Sequence, residues 1–383
     1  MISAQEYQSR LASVQALIIR EGLDALVLGA SAQIDQRGSL RWLMDYYLSV
    51  YEECVVIRPE GAPVYFAHDG LAAFHAGNSP LRPEARVIPP HLYLSDPAAP
   101  VGDYLRSIRA RNIGAAGTAG LSARFILSLN RQLDRPVRDI SQKIAQLRMV
   151  KSPAEIAMAR EAVHLNEESL WAYLKGARPG ALESEALARG YAFAAGRGCE
   201  DQYWMVGSGN PAVISHAVLS LGRKHQWQNG DDSAVVIEVS GPGGYYGEVW
   251  QALKFGARDP ELEAALAAVA RSIQAAAEMI RPGNTVGQVA EAAEASLVKD
   301  GWAAPRTARE PAAPIGHGQG LDAWEIPSIS ADNTQIIEPG MRFNLHPGVV
   351  KKNGSRVSYC DCYISSDGAA ERLSTLPYDV IYI

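Results

Sequence analysis

The sequence is poor in cysteine and contains neither long apolar runs nor runs of one charge. Its four cysteines in 383 residues (Cys54, Cys199, Cys360 and Cys362) are too few for a disulfide framework. The N-terminal segment breaks its apolar stretches with charges, so it lacks a signal-peptide core and a membrane span. The net charge of −6 offers no basic surface for nucleic acid. We therefore expect a cytoplasmic protein with no membrane and no nucleic-acid partner.

Cys360 and Cys362 are separated by one residue, so on a strand they would point to the same side. Such a pair is either a thiol pair with its own chemistry or two small hydrophobic side chains in the core. The second interpretation is favoured, because free cysteine is among the most buried residue types.

What the chain does contain is the material of an ordinary globular protein, with 47% hydrophobic and 20% charged residues. At 383 residues it exceeds one ordinary core, so two domains are expected. An amphipathic helix over 4–21, the buried-strand pattern "LDALVLGA" and two strands around the Pro-Glu-Gly turn of "ECVVIRPEGAPVYFA" predict a small α/β domain over 1–147.

A second domain is predicted over 148–383, where the pattern changes. Ser152 is a helix N-cap, Pro153 occupies the first helical position and Glu155 lies three residues after the cap. Further helical segments are followed by runs of antiparallel hairpin strands such as "SAVVIEVS" and "YYGEVWQALKF". This order predicts an α+β fold.

The segment "VVIEVSGPGGYYGEVWQ", residues 235–251, predicts a β-hairpin turning at Gly243. Such a turn places Glu238 and Glu248 opposite each other on one face, with Cβ atoms about 5 Å apart. Two like charges at this distance are unfavourable unless a cation lies between them.

Acidic residues, histidines and a tyrosine recur on the strands of this second half. They are His216, Glu238, Glu248, His317, His346, Tyr359 and Asp361. Several oxygen and nitrogen donors converging from rigid strands are what a metal ion requires. Each residue alone has an ordinary structural explanation, and the order and spacing of the whole set favour a site.

Six segments of this sequence resemble, in their order, those of the creatinase, prolidase and aminopeptidase P family, which has the pita-bread fold. They include "RMVKSPAEIAMAREA", "GSGNPAVISHAVLS", "GDDSAVVIEVSGPGGYYGE", "IGHGQGLDAWE", "IEPGMRFNLHPGV" and "SRVSYCDCYISSDG". The resemblance covers nearly the whole chain. It implies an α+β pita-bread catalytic domain preceded by a smaller α/β creatinase-like domain, and a homodimer in which each N-terminal domain borders the partner's active site.

Peptidases of this family hold two divalent metals with two Asp, one His and two Glu. The matching positions here are occupied by Glu238, Glu248, His317, His346 and Tyr359. A local bulge would bring Ser358 or Asp361, instead of Tyr359, to the last position. The first four side chains can all bind a cation, but His346 and Tyr359 cannot supply the bridging carboxylates of the two-metal site. We therefore expect a mononuclear site with Fe, Mn or Zn, held by those four side chains, in place of the two-metal site that the resemblance implies. The alternative is a metal-free enzyme like creatinase, in which Glu238 and Glu248 bind a cationic substrate.

The resemblance also assigns catalytic and substrate-binding residues. His216 matches the active-site histidine and would be the general acid/base, with Glu248 and Glu325 as further catalytic candidates. Substrate-binding candidates are Trp250, Trp324, Tyr246 and Arg356. Trp250 occupies the position where creatinase binds a guanidinium group with a glutamate, so creatine is a disfavoured substrate. The aromatic residues suggest a pocket for a flat or cationic group.

The expected function is that of a hydrolase acting on a small non-peptide or amino-acid-derived C–N substrate. Alternatives are a lyase or an iron-dependent oxidative enzyme that uses a Glu/Glu/His/His site, and a non-catalytic binding homologue. Proline-specific dipeptidase activity is disfavoured, because the ligand set departs from that of the peptidases. Trp324 also departs from the peptidases of the family, because it occupies a position where many of them have a histidine.

Overall fold

The computed structural model describes residues 2–47, 51–93, 95–212, 225–304 and 313–383. By its contacts the chain divides into two compact units, Met1–Arg148 and Met149–Ile383. The domains assigned from the sequence, with a boundary after residue 147, stay a prediction. Across the stretches that the structure describes, no helix is both long enough and apolar enough to cross a membrane.

Helices and strands alternate in the first unit. Its elements are α1 (Ala4–Arg20), β1 (Ala25–Ser31), α2 (Gly38–Met44), β2 (Glu52–Ile57), β3 (Val64–Ala67), α3 (Gly70–Gly77), β4 (Glu84–Val87), α4 (Pro90–Tyr93), α5 (Ala99–Ser107), β5 (Ile113–Ala116), a 3₁₀ turn (Thr118–Gly120), α6 (Ala123–Leu133) and β6 (Arg138–Asp139), with α7 (Ser141–Met149) at its end. The strands form one mixed sheet in the order β4-β3-β2-β1-β5-β6. The predicted α/β character follows from this alternation.

The core of the first unit lies on this sheet and its helices. β2 and β3 pair antiparallel, with Cys54 opposite Phe66, so the predicted Pro-Glu-Gly turn is confirmed. Val27, Cys54, Val56 and Phe66 are buried in the same apolar cluster. A buried central strand is what the continuous apolar run of β1 predicts.

The second unit begins with long helices and continues with hairpins. Its elements are α8 (Pro153–Leu174), α9 (Glu183–Gly196), β7 (Asp201–Gly209), β8 (Asp232–Ser240), β9 (Tyr246–Lys254), α10 (Pro260–Met279), α11 (Val286–Lys299), β10 (Gly316–Gly318), β11 (Glu325–Ser328), β12 (Arg342–Leu345), β13 (Gly348–Val350), β14 (Arg356–Ser358), β15 (Asp361–Ile364), β16 (Glu371–Arg372) and β17 (Ile381–Tyr382). The sheets are β17-β9-β8-β7, β11-β10-β12-β15-β16 and β13-β14.

The start of α8 is as predicted. Ser152 accepts a hydrogen bond from the backbone N–H of Glu155, and the Glu155 side chain accepts one from the backbone N–H of Ser152. This reciprocal capping box, with Pro153 at the first helical position, satisfies donors that a helix N-terminus otherwise leaves unpaired.

The predicted hairpin is confirmed in register as well as in place. Glu238 lies directly opposite Glu248 in the antiparallel pair of β8 and β9. The chain reverses between Ser240 and Tyr246, where Gly243 and Gly244 have φ angles of 95° and 85°. Only glycine adopts this left-handed region without strain, so the Gly-Gly pair fixes the turn and thereby the register.

A small apolar cluster beside this hairpin contains the two closely spaced cysteines. Cys360 and Cys362 are buried there together with Val236 and Trp250. Burial, a hydrogen bond with the Cys362 sulfur and the charge of Glu248 raise the pKa of the Cys360 thiol well above its ordinary value. Cys360 is therefore protonated, and both cysteines are buried members of the core, as the sequence favoured.

An ion network holds the far end of the same hairpin. Asp232 accepts hydrogen bonds from Lys254 at 2.8 Å and Lys351 at 2.8 Å, and Lys351 also binds Asp259 at 2.6 Å. The charged atoms of Asp232 and Lys351 are buried. Replacing Asp232 by alanine leaves two cations without their central partner, so we expect a loss of about 3–5 kcal/mol in the free energy of unfolding, measured with urea.

The matched control is Glu371→Ala, which breaks the exposed ion pair with Arg160 and is expected to cost about 1 kcal/mol or less. Burial raises the pKa of Asp232, but hydrogen bonds from Lys254, Lys351 and other donors lower it to about 2. Its contribution is therefore complete above the ordinary aspartate pKa and is lost as the pH falls through about 2. Equal losses in the two variants would contradict this role.

Candidate active site

Three side chains from different strands converge on one point of the second unit. Glu248 belongs to β9, His317 to β10, and His346 directly follows β12. One donor atom from each lies within 4.8 Å of the other two. Glu248 and His317 are buried and His346 is partly exposed. The three residues come together only in the fold, since they are far apart in the chain.

Glycines on both sides of His317 allow its strand to lie between two others. A Cβ atom on Gly316 would come within 2.0 Å of the Asn344 carbonyl oxygen, and one on Gly318 within 2.3 Å of the Ile326 carbonyl oxygen. Only glycine permits so close an approach of neighbouring backbones. The two glycines therefore allow β10 to pair closely with both β11 and β12, and the His317 imidazole projects from this central strand.

Both carboxylate oxygens of Glu248 accept hydrogen bonds. The indole N–H of Trp250 donates to Oε1 at 2.6 Å, and the amide of Asn344 donates to Oε2 at 2.7 Å. The Arg342 guanidinium in turn donates to the side-chain amide oxygen of Asn344, Oδ1, at 3.3 Å. This contact turns the amide nitrogen of the same side chain toward Glu248. Asn344 was missed in the sequence. The sequence feature that could have found Asn344 is its separation of two residues from His346, since residues two apart on a strand point to the same face.

The surroundings set the charges of the site. Burial raises the pKa of Glu248, but His317 and His346 and the donors Asn344 and Trp250 lower it further than burial raises it. Burial lowers the pKa of His346 to about 4, against the effect of Glu248. At neutral pH the site therefore combines an ionised carboxylate with a neutral imidazole at His346, which has a free lone pair.

Hydrogen bonding also leaves a ring nitrogen available on each histidine. His317 Nδ1 lies 2.8 Å from the Gly318 carbonyl oxygen, which can only accept, so Nδ1 carries the proton. Nε2 of His317 and Nε2 of His346 are buried and have no hydrogen-bond partner among the described residues. Buried nitrogens of this kind are normally hydrogen-bonded, so these two atoms are candidates for ligating a metal ion.

These three donors fit a divalent metal ion. Two imidazole nitrogens and one carboxylate are a common ligand set for Zn and Fe, and a hydrogen bond from the second ring nitrogen, as at His317, is typical of ligating histidines. The described residues do not fit the five-ligand, two-metal set that the family resemblance implies. The other two predicted ligands, Glu238 and Tyr359, are not part of the group of three.

Glu238 is buried opposite Glu248, but it is not part of the group of three. The two carboxylates are neighbours across the strands, as predicted, while the histidines converge on Glu248 alone. The four-ligand arrangement predicted from the sequence is therefore reduced to three in the structure, with Glu238 beside it.

The last predicted ligand position is not brought to the group by any of its three candidates. The Tyr359 hydroxyl donates to the Leu376 carbonyl at 3.2 Å, and the ring lies in the large apolar core. The Ser358 hydroxyl donates to a backbone carbonyl at 2.6 Å. The Asp361 carboxylate accepts a hydrogen bond from Arg372 at 2.6 Å. Assigning Tyr359 as a ligand therefore finds no support in its position, because its polar atom faces another part of the core.

Glu325, predicted as a catalytic candidate, is held in a structural arrangement. Its Oε2 lies 2.6 Å from the Lys151 ammonium, and both side chains are buried. Its Oε1 accepts hydrogen bonds from the backbone N–H groups of Leu321 and Asp322 at 2.9 and 3.1 Å. These contacts tie the loop after His317 to the segment that precedes α8.

We expect Glu325→Ala to lower the free energy of unfolding by about 3–5 kcal/mol, because it removes the carboxylate that lies 2.6 Å from the buried Lys151 ammonium. The double variant Lys151→Met/Glu325→Gln keeps an acceptor for the two backbone donors and should recover most of that loss in urea unfolding. Its turnover should stay close to that of the parent protein. A stable but inactive double variant would instead support a catalytic role of Glu325.

The predicted substrate-binding residues divide into two groups. Trp250 and Tyr246 are buried, and the Tyr246 hydroxyl donates to Asp201 at 2.8 Å. Trp324 is 62% exposed with its ring centroid 4.9 Å from that of His317, and Arg356 on β14 is exposed as well. Trp250 and Tyr246 are thus parts of the framework, whereas Trp324 and Arg356 are accessible. His216, the predicted acid/base, lies outside the described residues.

The class of protein follows from a comparison of the whole chain with known families. Residues 157–367, more than half of the chain, match the model of metallopeptidase family M24. The protein belongs to this family.

Among curated relatives, the "Probable dipeptidase PepE" of Mycobacterium tuberculosis is 29% identical over 245 residues, or 63% of this chain, and the chain spans only 62% of that relative. The ectoine hydrolase of Halomonas elongata is 23% identical and is matched over 97% of this chain and 96% of its own. Of the solved structures, the dipeptidase PepE from Mycobacterium ulcerans superimposes with a TM-score of 0.80 at 22% identity, covering 100% of this chain and 99% of its own.

These findings confirm the predicted family and the α+β pita-bread fold, with its smaller N-terminal α/β part. The predicted enzyme class, a hydrolase related to the metallopeptidases, agrees with family M24. At this level of identity the structural likeness establishes the fold alone. The substrate and the site residues follow from neither comparison.

Proposed function

We propose that the protein is a hydrolase that cleaves a C–N bond in a small, non-peptide, amino-acid-derived substrate. The observation that carries this proposal is the buried group of Glu248, His317 and His346 within the segment that matches family M24. The group replaces a carboxylate-rich ligand set by two histidines and one glutamate. A site with different donors favours a substrate different from the Xaa-Pro dipeptides of the family's peptidases.

The ectoine hydrolase relative supports the same class of substrate. It matches this chain nearly end to end, at 23% identity, and its name states a substrate that is not a peptide. The PepE relative is more similar in sequence, at 29%, but over 63% of the chain. The end-to-end match favours a small-molecule substrate over a dipeptide.

His216 is the proposed general acid/base, which passes a proton to the leaving nitrogen, because an imidazole titrates near neutral pH. Glu248, His317 and His346 would hold a divalent ion, which when bound supplies a Lewis acid and lowers the pKa of water. Trp324, exposed beside His317, offers an aromatic face to a flat or cationic group of the substrate. Cytoplasmic location and a homodimer remain parts of the proposal.

The proposal is tested with a substrate panel under matched conditions. Purified protein, metal-free or supplied with Zn(II), Mn(II) or Fe(II), is incubated with ectoine, creatine, N-acetyl amino acids and Ala-Pro, and products that have gained one water are followed by mass spectrometry. We expect a non-peptide to be hydrolysed at least about 100-fold faster than Ala-Pro. Preferred hydrolysis of Ala-Pro would overturn the proposal.

A lyase or an iron-dependent oxidation on the same fold is the second candidate. The observation that favours it is the ligand set, since two histidines and one carboxylate are also the ligands of many non-haem Fe(II) enzymes. Elemental analysis of protein purified without added metal, combined with an oxygen-consumption assay, distinguishes iron-dependent oxidation from hydrolysis. About one iron per chain together with substrate-dependent oxygen consumption would favour oxidation over hydrolysis.

A further inference from the structure

We propose that the group of Glu248, His317 and His346 binds a single divalent transition-metal ion, and that Trp250 is a positioning residue that orients two of its three ligands. This concerns the site of the proposed function but does not depend on which reaction occurs there. It departs from the two-metal site that the family resemblance implies.

The donors for one ion are complete. His317 and His346 each carry a buried Nε2 without a hydrogen-bond partner, and Nε2 of His317 lies 3.8 Å from Oε2 of Glu248. One donor atom of each of the three residues lies within 4.8 Å of the other two. Two nitrogen donors and one oxygen donor favour Zn(II), Co(II) or Fe(II) over Mg(II) and Ca(II), which prefer oxygen ligands alone. Three protein ligands also leave open positions for water or substrate.

Two candidate donors for a second ion are engaged elsewhere. Tyr359, at the matched ligand position, donates its hydroxyl to the Leu376 carbonyl. Asp361, the alternative carboxylate, is held by Arg372 and by the hydroxyl of Tyr363. Glu238 is buried opposite Glu248 but is not part of the group of three. Among the described residues a second ion would therefore have Glu238 as its one additional carboxylate.

Trp250 contacts two ligands with different parts of one indole. Its N–H donates to Glu248 Oε1 at 2.6 Å, and its ring stacks on the His346 imidazole with centroids 4.8 Å apart and planes inclined by 9°. The side chain is only 7% exposed and packs against Cys360 in a buried cluster. The indole therefore fixes the rotation of the carboxylate and the plane of the imidazole at once.

Asn344 completes this support from the opposite side. It donates to the other oxygen of Glu248 at 2.7 Å, so each oxygen retains a lone pair while its direction is set. Partners of this kind around a metal site contribute substantially to affinity, and their loss lowers it by about 10–100-fold. Trp250 is expected to show the larger effect, because it also orients His346.

The test titrates the full-length protein, stripped with a chelator, with Co(II), and follows visible absorption and bound cobalt by elemental analysis. Zn(II) competition then gives the zinc affinity. Trp250→Phe keeps an aromatic ring beside His346 but removes the N–H donor. Trp171→Phe, at a position 50% exposed on α8, is the matched control. Far-UV circular dichroism and thermal unfolding establish that each variant is folded.

We expect one equivalent of Co(II) per chain, a Kd raised about 10–100-fold in Trp250→Phe, and an unchanged Kd in Trp171→Phe. Two tight equivalents, no binding, or an unchanged Kd in folded Trp250→Phe would overturn the proposal. If Trp250→Phe does not fold, Asn344→Ala replaces it as the test of support for Glu248, and the wild-type stoichiometry decides the number of ions. Because no substrate is present, the result is independent of whether the protein is a hydrolase.

Discussion

Replacing His317 by alanine is expected to abolish tight ion binding and to lower kcat/KM by about 10³-fold, equivalent to about 4 kcal/mol of transition-state stabilisation. His317 contributes one of the two buried imidazole nitrogens that converge with Glu248. Its removal leaves a site with a single nitrogen donor. Bound metal is measured by elemental analysis and kcat/KM with the substrate identified from the panel.

The control is His164→Ala, which removes a histidine whose side chain is 54% exposed and whose contact to Glu167 is long, at 3.5 Å. It should keep both the ion and the activity. Undiminished activity of His317→Ala, with the wild-type ion content, would contradict a role of His317 in the site.

Replacing His216 by alanine is expected to lower kcat by about 10²–10⁴-fold, the range that general acid/base catalysis contributes. The variant should keep its fold and should still bind one ion, because His216 is proposed to move a proton and not to ligate. Turnover is measured at saturating substrate, and ion content by elemental analysis.

The two histidine variants thus separate two functions. His317→Ala should lose the ion and activity together, whereas His216→Ala should lose activity alone. Full turnover of His216→Ala would eliminate the proposed proton transfer. Loss of the ion in His216→Ala would assign His216 to the ligands instead.

The parts of the structure that the sequence predicted depend on neighbours in the chain. The capping box of Ser152 and Glu155 is fixed by a spacing of three residues. The opposition of Glu238 and Glu248 follows from a glycine turn and the two-residue period of a strand. In both cases the physical determinant is local, so one sequence is sufficient.

The position of Trp250 could be predicted only in part. Alternation along β9 places it on the same face as Glu248, but the partner of its ring, His346, comes from a different sheet. How two sheets pack depends on all the side chains of the core between them. A short sequence motif does not contain that information. The ring was expected in a substrate pocket, and in the structure it is buried and stacks on the His346 imidazole.

Tyr359 illustrates a different limit. β14 ends at Ser358 and β15 begins at Asp361, so the alternation of faces cannot be counted through the break between them. Cys360 joins the cluster of Trp250, while Tyr359 lies in the opposite core. A shift of one residue decides which side chain faces the site.

Glu325 shows the effect of contacts between distant parts of the chain. Its partner Lys151 is 174 residues away in the chain, and no local sequence pattern predicts that the two residues pair. From the sequence alone, a carboxylate next to Trp324 is compatible with catalysis, because the cation beside it is not visible. Long-range pairing is thus what separates a structural carboxylate from a catalytic one.

The assignment of Glu248, His317 and His346 as the ligands of one metal ion can be decided by anomalous diffraction from crystals grown with Zn(II), recorded above and below the zinc absorption edge. We expect one strong peak in the site, about 2.0–2.2 Å from a Glu248 oxygen and from Nε2 of both histidines. Two peaks bridged by Glu248, or a peak elsewhere with none at these three residues, would show that the assignment is wrong.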